Sequence, residues 1–119
     1  MDFIQIIIIA LVIVFFVTRF MPVKGITNIS VQEVKDKLKD NQVQFIDVRT
    51  PGEYKANHKK PFKNIPLSNL ASKTDSLDKE KEVVVICQSG MRSLKAAKIL
   101  KKQGFQNISN VRGGMSAWV

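Results

Sequence analysis

The longest apolar stretch of the chain lies near its N-terminus. From Phe3 to Val17 every residue except Gln5 is apolar, so a helix formed here is hydrophobic on every face. A helix rises about 1.5 Å per residue and crosses the core of a bilayer with roughly 20 residues. The pattern therefore predicts a transmembrane anchor over residues 1–21, followed by a short linker over residues 22–25.

A cleaved secretory signal and a buried core helix are the two alternatives for this stretch. A signal peptide has a basic N-terminal region and small residues at its cleavage site. The chain instead begins with Asp2 and no Lys or Arg, and the segment TRFMPVKG (18–25) is a poor cleavage site. A core helix normally has one polar face, which the Ile-rich run lacks. An uncleaved anchor is the preferred interpretation.

Residues 26–119 show a different pattern, in which short apolar runs alternate with amphipathic segments. The runs VQFIDV (43–48) and VVVI (83–86) are rich in branched residues and are typical of buried strands. Ser30-Val31-Gln32-Glu33 has the form of a capping box that opens a helix. Strands that alternate with helices indicate an α/β domain. The predicted fold is a small, mainly parallel sheet flanked by helices on both faces and preceded by one transmembrane helix.

The remaining elements follow from cap and turn residues. Thr50 and Pro51 resemble an N-cap and a first helical position, and Ser68 is expected to cap another short helix. Residues 94–102 predict a helix with Leu94, Ala97 and Leu100 on its inner face, ending before Gly104. Residues 105–108 are expected to form a last strand, followed by a helical stub.

The net charge of +9 changes the picture only slightly. Nucleic-acid binding is disfavoured because no aromatic residues are interleaved with a basic stripe. Attraction to anionic lipid and a simple solvated lysine-rich surface both remain compatible with this charge.

The placement of basic residues and of the one cysteine predicts the location of the domain. Arg19 and Lys24 follow the apolar run, and no basic residue precedes it. The positive-inside tendency then places the domain on the cytoplasmic side of the cell membrane as a single-pass protein. A single cysteine agrees with a reducing compartment, because no intrachain disulfide can form.

The segment CQSGMRS (87–93) carries the candidate chemistry. It begins where a strand ends and a helix follows, which is where sites form in parallel sheets. A loop at this place can turn backbone N–H groups inward as an anion nest, and Gly90 allows the tight curvature. Arg92 adds a permanent cation and Ser93 a hydroxyl. These features lower a thiol pKa, so we favour a reactive Cys87 over a cysteine that only packs in the core.

These motifs together resemble the rhodanese-type sulfurtransferases. The resemblance is carried by CQSGMRS (87–93), DVRTPGEY (47–54), NIPLSNL (64–70) and VRGGMSAW (111–118), and it extends over residues 26–119. It implies that Cys87 accepts sulfane sulfur from thiosulfate or a low-molecular-weight persulfide, holds it as a persulfide and passes it to a thiol or another nucleophile. It also implies that the substrate cradle is formed by Gln88, Ser89, Gly90, Met91, Arg92 and Ser93.

Two other functions are compatible with these residues. One is a binding module that has kept the fold and docks partners at the membrane. The other is a phosphatase or arsenate reductase, although those enzymes place one residue more between the cysteine and the arginine. The C-x4-R spacing here makes a tighter cradle, which suits sulfur better than a phosphoryl group.

Supporting residues are expected around the loop. Asp47 and Arg49, at the end of the 43–48 strand, are expected to form a structural ion pair or a loop-bracing hydrogen bond rather than to act in catalysis. His58 could carry protons, but we favour a hydrogen bond to a loop. The family pattern His-Ile-Pro-Gly-Ala is replaced here by His58-Lys59-Lys60-Pro61-Phe62. With one cysteine and one histidine, no metal site is expected, and no cofactor is implied. The expected partners are an anionic sulfur donor, a thiol acceptor and a membrane contacted by residues 3–21, with the oligomeric state left open.

Overall fold

The structure is a computed structural model that describes residues 2–20 and 25–118, with the side chains of residues 18–20 left out of the description. Most of the predicted linker, residues 22–24, lies outside the described residues. The same holds for Met21 of the predicted anchor and for Val119 of the predicted domain.

The N-terminal apolar stretch forms helix α1, Phe3–Phe20. Its large apolar side chains from Phe3 to Val17 are exposed. Among the described residues, no helix has the length and apolarity needed to cross a membrane. The predicted transmembrane anchor is therefore not supported by the structure.

The rest of the described chain is built on a five-stranded sheet in which every strand pairs in parallel with its neighbours. The spatial order is β1-β5-β4-β2-β3. The strands are β1 Ile26–Ile29, β2 Val43–Asp47, β3 Lys63–Asn64, β4 Glu82–Ile86 and β5 Ile108–Val111. The central position of β4, whose predicted run VVVI is buried throughout, confirms the prediction of a mainly parallel sheet covered on both faces.

Helices connect the strands. They are α2 Val31–Lys37, α3 Pro51–Ala56, α4 Leu67–Leu70 and α5 Met91–Lys102, with two short 3₁₀ helices at Thr74–Ser76 and Gly114–Ala117. Both α2 and α3 begin with a complete capping box, because the side chains of Ser30 and Thr50 accept hydrogen bonds from the N–H groups of Glu33 and Glu53. The predicted helix starts at these two places are confirmed.

The hydrophobic core lies in two layers, one on each face of the sheet. Because side chains alternate along a strand, β4 sends Val83 and Val85 to one layer and Val84 and Ile86 to the other. The first layer also holds Leu70 of α4 and Leu100 of α5. The second holds Val31 and Val34 of α2 together with Phe62 and Met115. Cys87 continues the alternation into the first layer, beneath α5.

Two predicted boundaries are wrong for local reasons. The last strand begins at Ile108 rather than at Phe105, because the Phe105 N–H bonds back to the carbonyl of Leu100 and closes the end of α5. Ser68, predicted as the N-cap of a helix, lies inside α4, whose N-cap is Pro66. On α5, Ala97 and Leu100 are buried as expected, whereas Leu94 is only half-buried.

Candidate active site

Cys87 lies at the carboxyl edge of the sheet, directly after β4. Asp47, the last residue of the neighbouring strand β2, pairs in register with Ile86. Val48, the first residue after β2, donates its N–H to the carbonyl of Ile86 at 2.9 Å. The loops after β2 and β4 therefore leave the sheet side by side, and parallel sheets bind ligands at this edge.

The loop from Cys87 to α5 curls around the sulfur. Gly90 is the N-cap of α5 and has a φ of +100°, which favours glycine. This turn lets the Gly90 N–H donate to Cys87 Sγ at 3.0 Å. The Ser93 hydroxyl, in the first turn of α5, lies 3.3 Å from the same sulfur. The sulfur is thus surrounded by donors at the N-terminal end of a helix, where the partial positive charge favours an anion.

The pKa of the Cys87 thiol reflects two opposing influences. Burial acts to raise this pKa, because it disfavours the thiolate. The Ser93 side chain and the backbone N–H groups of Ser93, Gly90 and Ser89 lower it, because they donate hydrogen bonds to the charged sulfur. The hydrogen bonds outweigh the burial, so the pKa lies below its usual value. The site therefore favours the thiolate, which is the reactive form.

The sulfur itself is covered. Cys87 has no exposed surface, whereas Met91 is 73% exposed, and the side chains of Gln88 and Ser89 also lie at the surface. The side chains of Gln88, Ser89 and Met91 therefore face solvent, whereas the Gly90 N–H and the buried Ser93 hydroxyl face the sulfur.

Arg92 is held by a carboxylate on another helix. Its Nη1 and Nη2 donate to the two carboxylate oxygens of Glu53 on α3, at 2.6 and 2.9 Å. Hydrogen bonding to Arg92 is the main reason that the pKa of Glu53 falls to about 2, and the same pair raises the pKa of Arg92. In the sequence, Glu53 stands out only as part of the segment DVRTPGEY (47–54). No local signal marks its pairing with Arg92, because this partner lies 39 positions along the chain.

Asp47 and Arg49 form a buried ion pair at 2.8 Å beside the loop. Arg49 also reaches Gln88 Oε1 at 3.4 Å and the carbonyl of Asn57 at 2.5 Å. The guanidinium thus links the end of β2, the end of α3 and the first residue of the loop after Cys87. Its role in the structure is to brace that loop.

His58 has a different position from the other predicted residues. Its ring stacks on Tyr54 with centroids 4.0 Å apart, and its Nδ1 lies 2.9 Å from the Tyr54 carbonyl. Among the described contacts, those of His58 are with α3 rather than with the cysteine loop. The structure therefore brings Asp47, Arg49 and the 87–93 loop together, and it leaves His58 outside this group.

The segment after β5 closes the site from the other side. Met115 and Ser116 donate their N–H groups to the carbonyls of Cys87 and Gln88, at 2.9 and 3.0 Å. A Cβ atom on Gly114 would collide with the Cys87 carbonyl oxygen, so only glycine fits. The sequence signal for this contact is the double glycine at 113–114, within the segment VRGGMSAW (111–118).

The described residues contain no group of three or more His, Cys, Asp or Glu side chains that could hold a metal ion. Around Cys87 the described residues provide a thiol in a cradle of hydrogen-bond donors.

Comparison with known proteins agrees with this geometry. The family model of the rhodanese-like domain matches residues 30–119. YtwF of Bacillus subtilis (strain 168), whose name assigns it a sulfurtransferase activity provisionally, is 40% identical over 78% of this chain and 90% of that protein. The thiosulfate sulfurtransferase GlpE of Shewanella oneidensis is 31% identical over 76% of this chain and 90% of that protein.

A solved structure shows the same arrangement of elements. The crystal structure of a rhodanese-like domain protein from Staphylococcus aureus superposes with a TM-score of 0.72 at 33% identity, covering 78% of this chain and 91% of that chain. The matched family model covers the sheet from α2 onward together with the entire cysteine loop. The chain therefore belongs to the rhodanese-like domain family.

Proposed function

We propose that this protein is a sulfurtransferase that carries sulfane sulfur on Cys87 as a persulfide. The observation that supports the proposal most directly is the hydrogen bond of 3.0 Å from the Gly90 N–H to Cys87 Sγ, together with a thiol pKa below its usual value. Two relatives that are 30% and 31% identical to this chain are named as sulfurtransferases. The proposed donor is thiosulfate or a low-molecular-weight persulfide, and the proposed acceptor is a thiol or another nucleophile.

The proposed transfer has two displacement steps. In the first, the Cys87 thiolate attacks the outer sulfur of thiosulfate, a new S–S bond forms, and sulfite leaves with the electron pair of the bond that breaks. Cys87 then carries an anionic persulfide. In the second step, an acceptor thiolate attacks the outer sulfur and Cys87 leaves as a thiolate. Each step conserves charge and requires no external oxidant or reductant.

The absence of a second cysteine in the sequence limits how the persulfide is discharged. An intramolecular disulfide cannot displace the bound sulfur, so every turnover needs an external acceptor. In the proposed mechanism the Arg92–Glu53 pair lies at the rim, where its guanidinium attracts an anionic donor and its carboxylate limits that attraction.

The proposal is tested with the purified full-length chain and a Cys87→Ser control. We expect the mass of the intact protein to increase by one sulfur atom after incubation with thiosulfate or glutathione persulfide, and to return to its original value after an excess of thiol is added. Cys87→Ser should show no increase. An unmodified thiol after both donors would overturn the proposal, and turnover of an aryl phosphate would favour a phosphatase instead.

We also propose that residues 3–21 attach the domain to the cell membrane with the site on the cytoplasmic side. The exposed apolar side chains of α1 and the basic residues that follow them in sequence support this proposal. Cell fractionation with alkaline extraction tests it, because a peripheral chain is released and an integral chain is retained. Recovery of the full-length chain entirely in the soluble fraction would contradict membrane attachment.

A further inference from the structure

The Ser93 hydroxyl has one proton and three possible acceptors. Its oxygen lies 3.3 Å from Cys87 Sγ, 3.1 Å from the Gly90 carbonyl and 2.5 Å from Asn110 Oδ1. A serine hydroxyl donates only one hydrogen bond at a time. The three acceptors therefore compete for this proton. The sulfur receives a hydrogen bond from Ser93 only when the hydroxyl is not donating to Gly90 or Asn110.

Asn110 is fixed in the orientation that makes it a competitor. It lies on β5 and is 4% exposed. Its amide Nδ2 donates to Asn28 Oδ1 at 3.1 Å and lies 3.5 Å from the Gly90 carbonyl. With the nitrogen engaged in this way, the amide oxygen of Asn110 is directed at the Ser93 hydroxyl.

We propose that Asn110 is a positioning residue that takes the Ser93 hydrogen bond whenever Cys87 Sγ carries no charge and gives it up when Sγ is a thiolate. A thiolate is a charged acceptor and holds the hydroxyl more strongly than a neutral sulfur does. In the persulfide the charge moves to the outer sulfur, so Sγ becomes a weak acceptor and the hydroxyl turns back to Asn110. The hydroxyl rotates and no covalent bond to its proton breaks.

The inference rests on the proposed sulfur transfer for its biological meaning, but the competition exists in the free protein. Asn110 then destabilises the Cys87 thiolate relative to the thiol, whereas Ser93 stabilises it. The two side chains should therefore change the thiol pKa in opposite directions when they are removed, although they touch each other and both are buried.

The other charged groups near Cys87 have their partners outside the Ser93–Asn110 contact. Arg92 on α5 is paired with Glu53 on α3, and Arg49 after β2 is paired with Asp47. Arg112, at the end of β5, is exposed and donates to the Asn28 carbonyl at 3.5 Å. None of these side chains is described in contact with the Ser93 hydroxyl.

The test measures the thiolate absorbance of Cys87 in the full-length chain as a function of pH. Because Cys87 is the only cysteine, a Cys87→Ser spectrum provides the baseline. We expect Asn110→Ala to lower the thiol pKa by about half a unit to one unit, and Ser93→Ala to raise it by a similar amount. The double variant should match Ser93→Ala, because Asn110 acts only through the hydroxyl.

A matched control comes from the same strand. Ser109 is also buried on β5, but it donates to Glu82 Oε2 at 2.7 Å, so Ser109→Ala should leave the pKa of Cys87 unchanged. A higher or unchanged pKa in Asn110→Ala would overturn the inference, as would a decrease that persists without Ser93.

A second variant keeps the test decisive if Asn110→Ala does not fold. Asn28→Ala removes the acceptor that fixes the Asn110 amide, so the amide can turn its nitrogen toward Ser93. The thiol pKa should again fall, and a rise would overturn the inference. Failure of sulfur uptake with the expected pKa changes intact would count against the proposed function alone.

Discussion

At the scale of single residues, the environment of Cys87 shows how a fully covered thiol can still favour its charged form. Burial alone disfavours a thiolate. Hydrogen bonds from Ser89, Gly90 and Ser93 offset this cost of burial. Three of the four hydrogen bonds that lower this pKa come from backbone N–H groups. Such donors are fixed by the fold of the loop, so substitutions of the neighbouring side chains leave them in place.

The Arg92–Glu53 pair gives a pH dependence with a defined sign. The pKa of Glu53 falls from 4.5 to about 2 in the folded chain. A carboxyl with a depressed folded pKa stabilises the fold above its unfolded pKa, and this contribution is lost as the pH falls from about 4.5 toward 2. We expect Glu53→Gln to flatten the pH dependence of the unfolding midpoint in this window, as measured by urea unfolding at a series of pH values.

A matched control is available in the other capping box. Glu33 occupies the same position in α2 as Glu53 does in α3, but among the described ion pairs it has no arginine partner. Glu33→Gln removes the negative charge of a capping box without removing an ion pair, because glutamine can still accept the N-cap N–H. If Glu53→Gln and Glu33→Gln give the same pH profile, the Arg92 contact does not contribute to stability.

The buried pair of Asp47 and Arg49 should be more costly to break. The two side chains are 1% and 3% exposed, so Asp47→Asn leaves a buried guanidinium without its counter-charge. We expect a loss of about 3–5 kcal/mol in the free energy of unfolding. Lys37→Ala, which removes a partly exposed ion pair with Glu82, should cost at most about 1 kcal/mol. Equal losses in urea unfolding would contradict this difference.

The sequence could predict side-chain contacts that close within a few residues, and it could not predict those between distant segments. The capping boxes at Ser30 and Thr50 each span three positions, so their pattern is visible in the sequence. The contact from Ser93 to Asn110 spans 17 positions and depends on how β5 pairs with β4. Residue type alone gives no reason to choose Asn110 over another asparagine.

At the scale of elements, the cysteine loop is fixed by the segment that follows β5. Gly114 packs against the Cys87 carbonyl with no space for a side chain. We expect Gly114→Ala to cost about 1–3 kcal/mol in stability and to reduce sulfur uptake, because the loop must move away. The measurements are urea unfolding and the intact mass after incubation with thiosulfate.

Gly52 provides the control for this substitution. It lies in α3, and the place that an alanine methyl group would occupy there is open space, with no surrounding side chain within 4 Å. Gly52→Ala should therefore be neutral or slightly stabilising, since alanine favours a helix by about 1 kcal/mol. Unchanged sulfur uptake in Gly114→Ala would show that the contact of Gly114 with Cys87 does not hold the loop.

The elements that the sequence predicted well are those with strong local periodicity. The runs at 43–48 and 83–86 became central strands, and the helix after Cys87 became α5. The sequence placed the last strand too early because Phe105 is apolar and buried, yet its N–H closes a helix. An apolar residue next to Gly104 can either begin a strand or close the end of a helix, and only the tertiary structure shows which of the two occurs.

At the scale of the whole molecule, α1 is separate in character from the sheet domain. Its large apolar side chains are exposed, including Ile6, Ile7 and Ile9, so they contribute little to the folded core. We expect deletion of residues 1–20 to leave the urea midpoint of the domain unchanged. Leu100→Ala, at a fully buried position, should lower its stability by about 2–5 kcal/mol. A lower midpoint after the deletion would show that α1 packs on the domain.

The link between Asn28 and Asn110 joins residues that are 82 positions apart, and it accompanies the pairing of β1 with β5. Contacts over such distances have a high entropic cost of loop closure and form slowly compared with local contacts. A chain in which this pairing has not yet formed keeps Cys87 but lacks the acceptor that controls Ser93. If Asn110 controls Ser93 as proposed, we expect the pKa of the Cys87 thiol to reach its final value only after β1 has paired with β5.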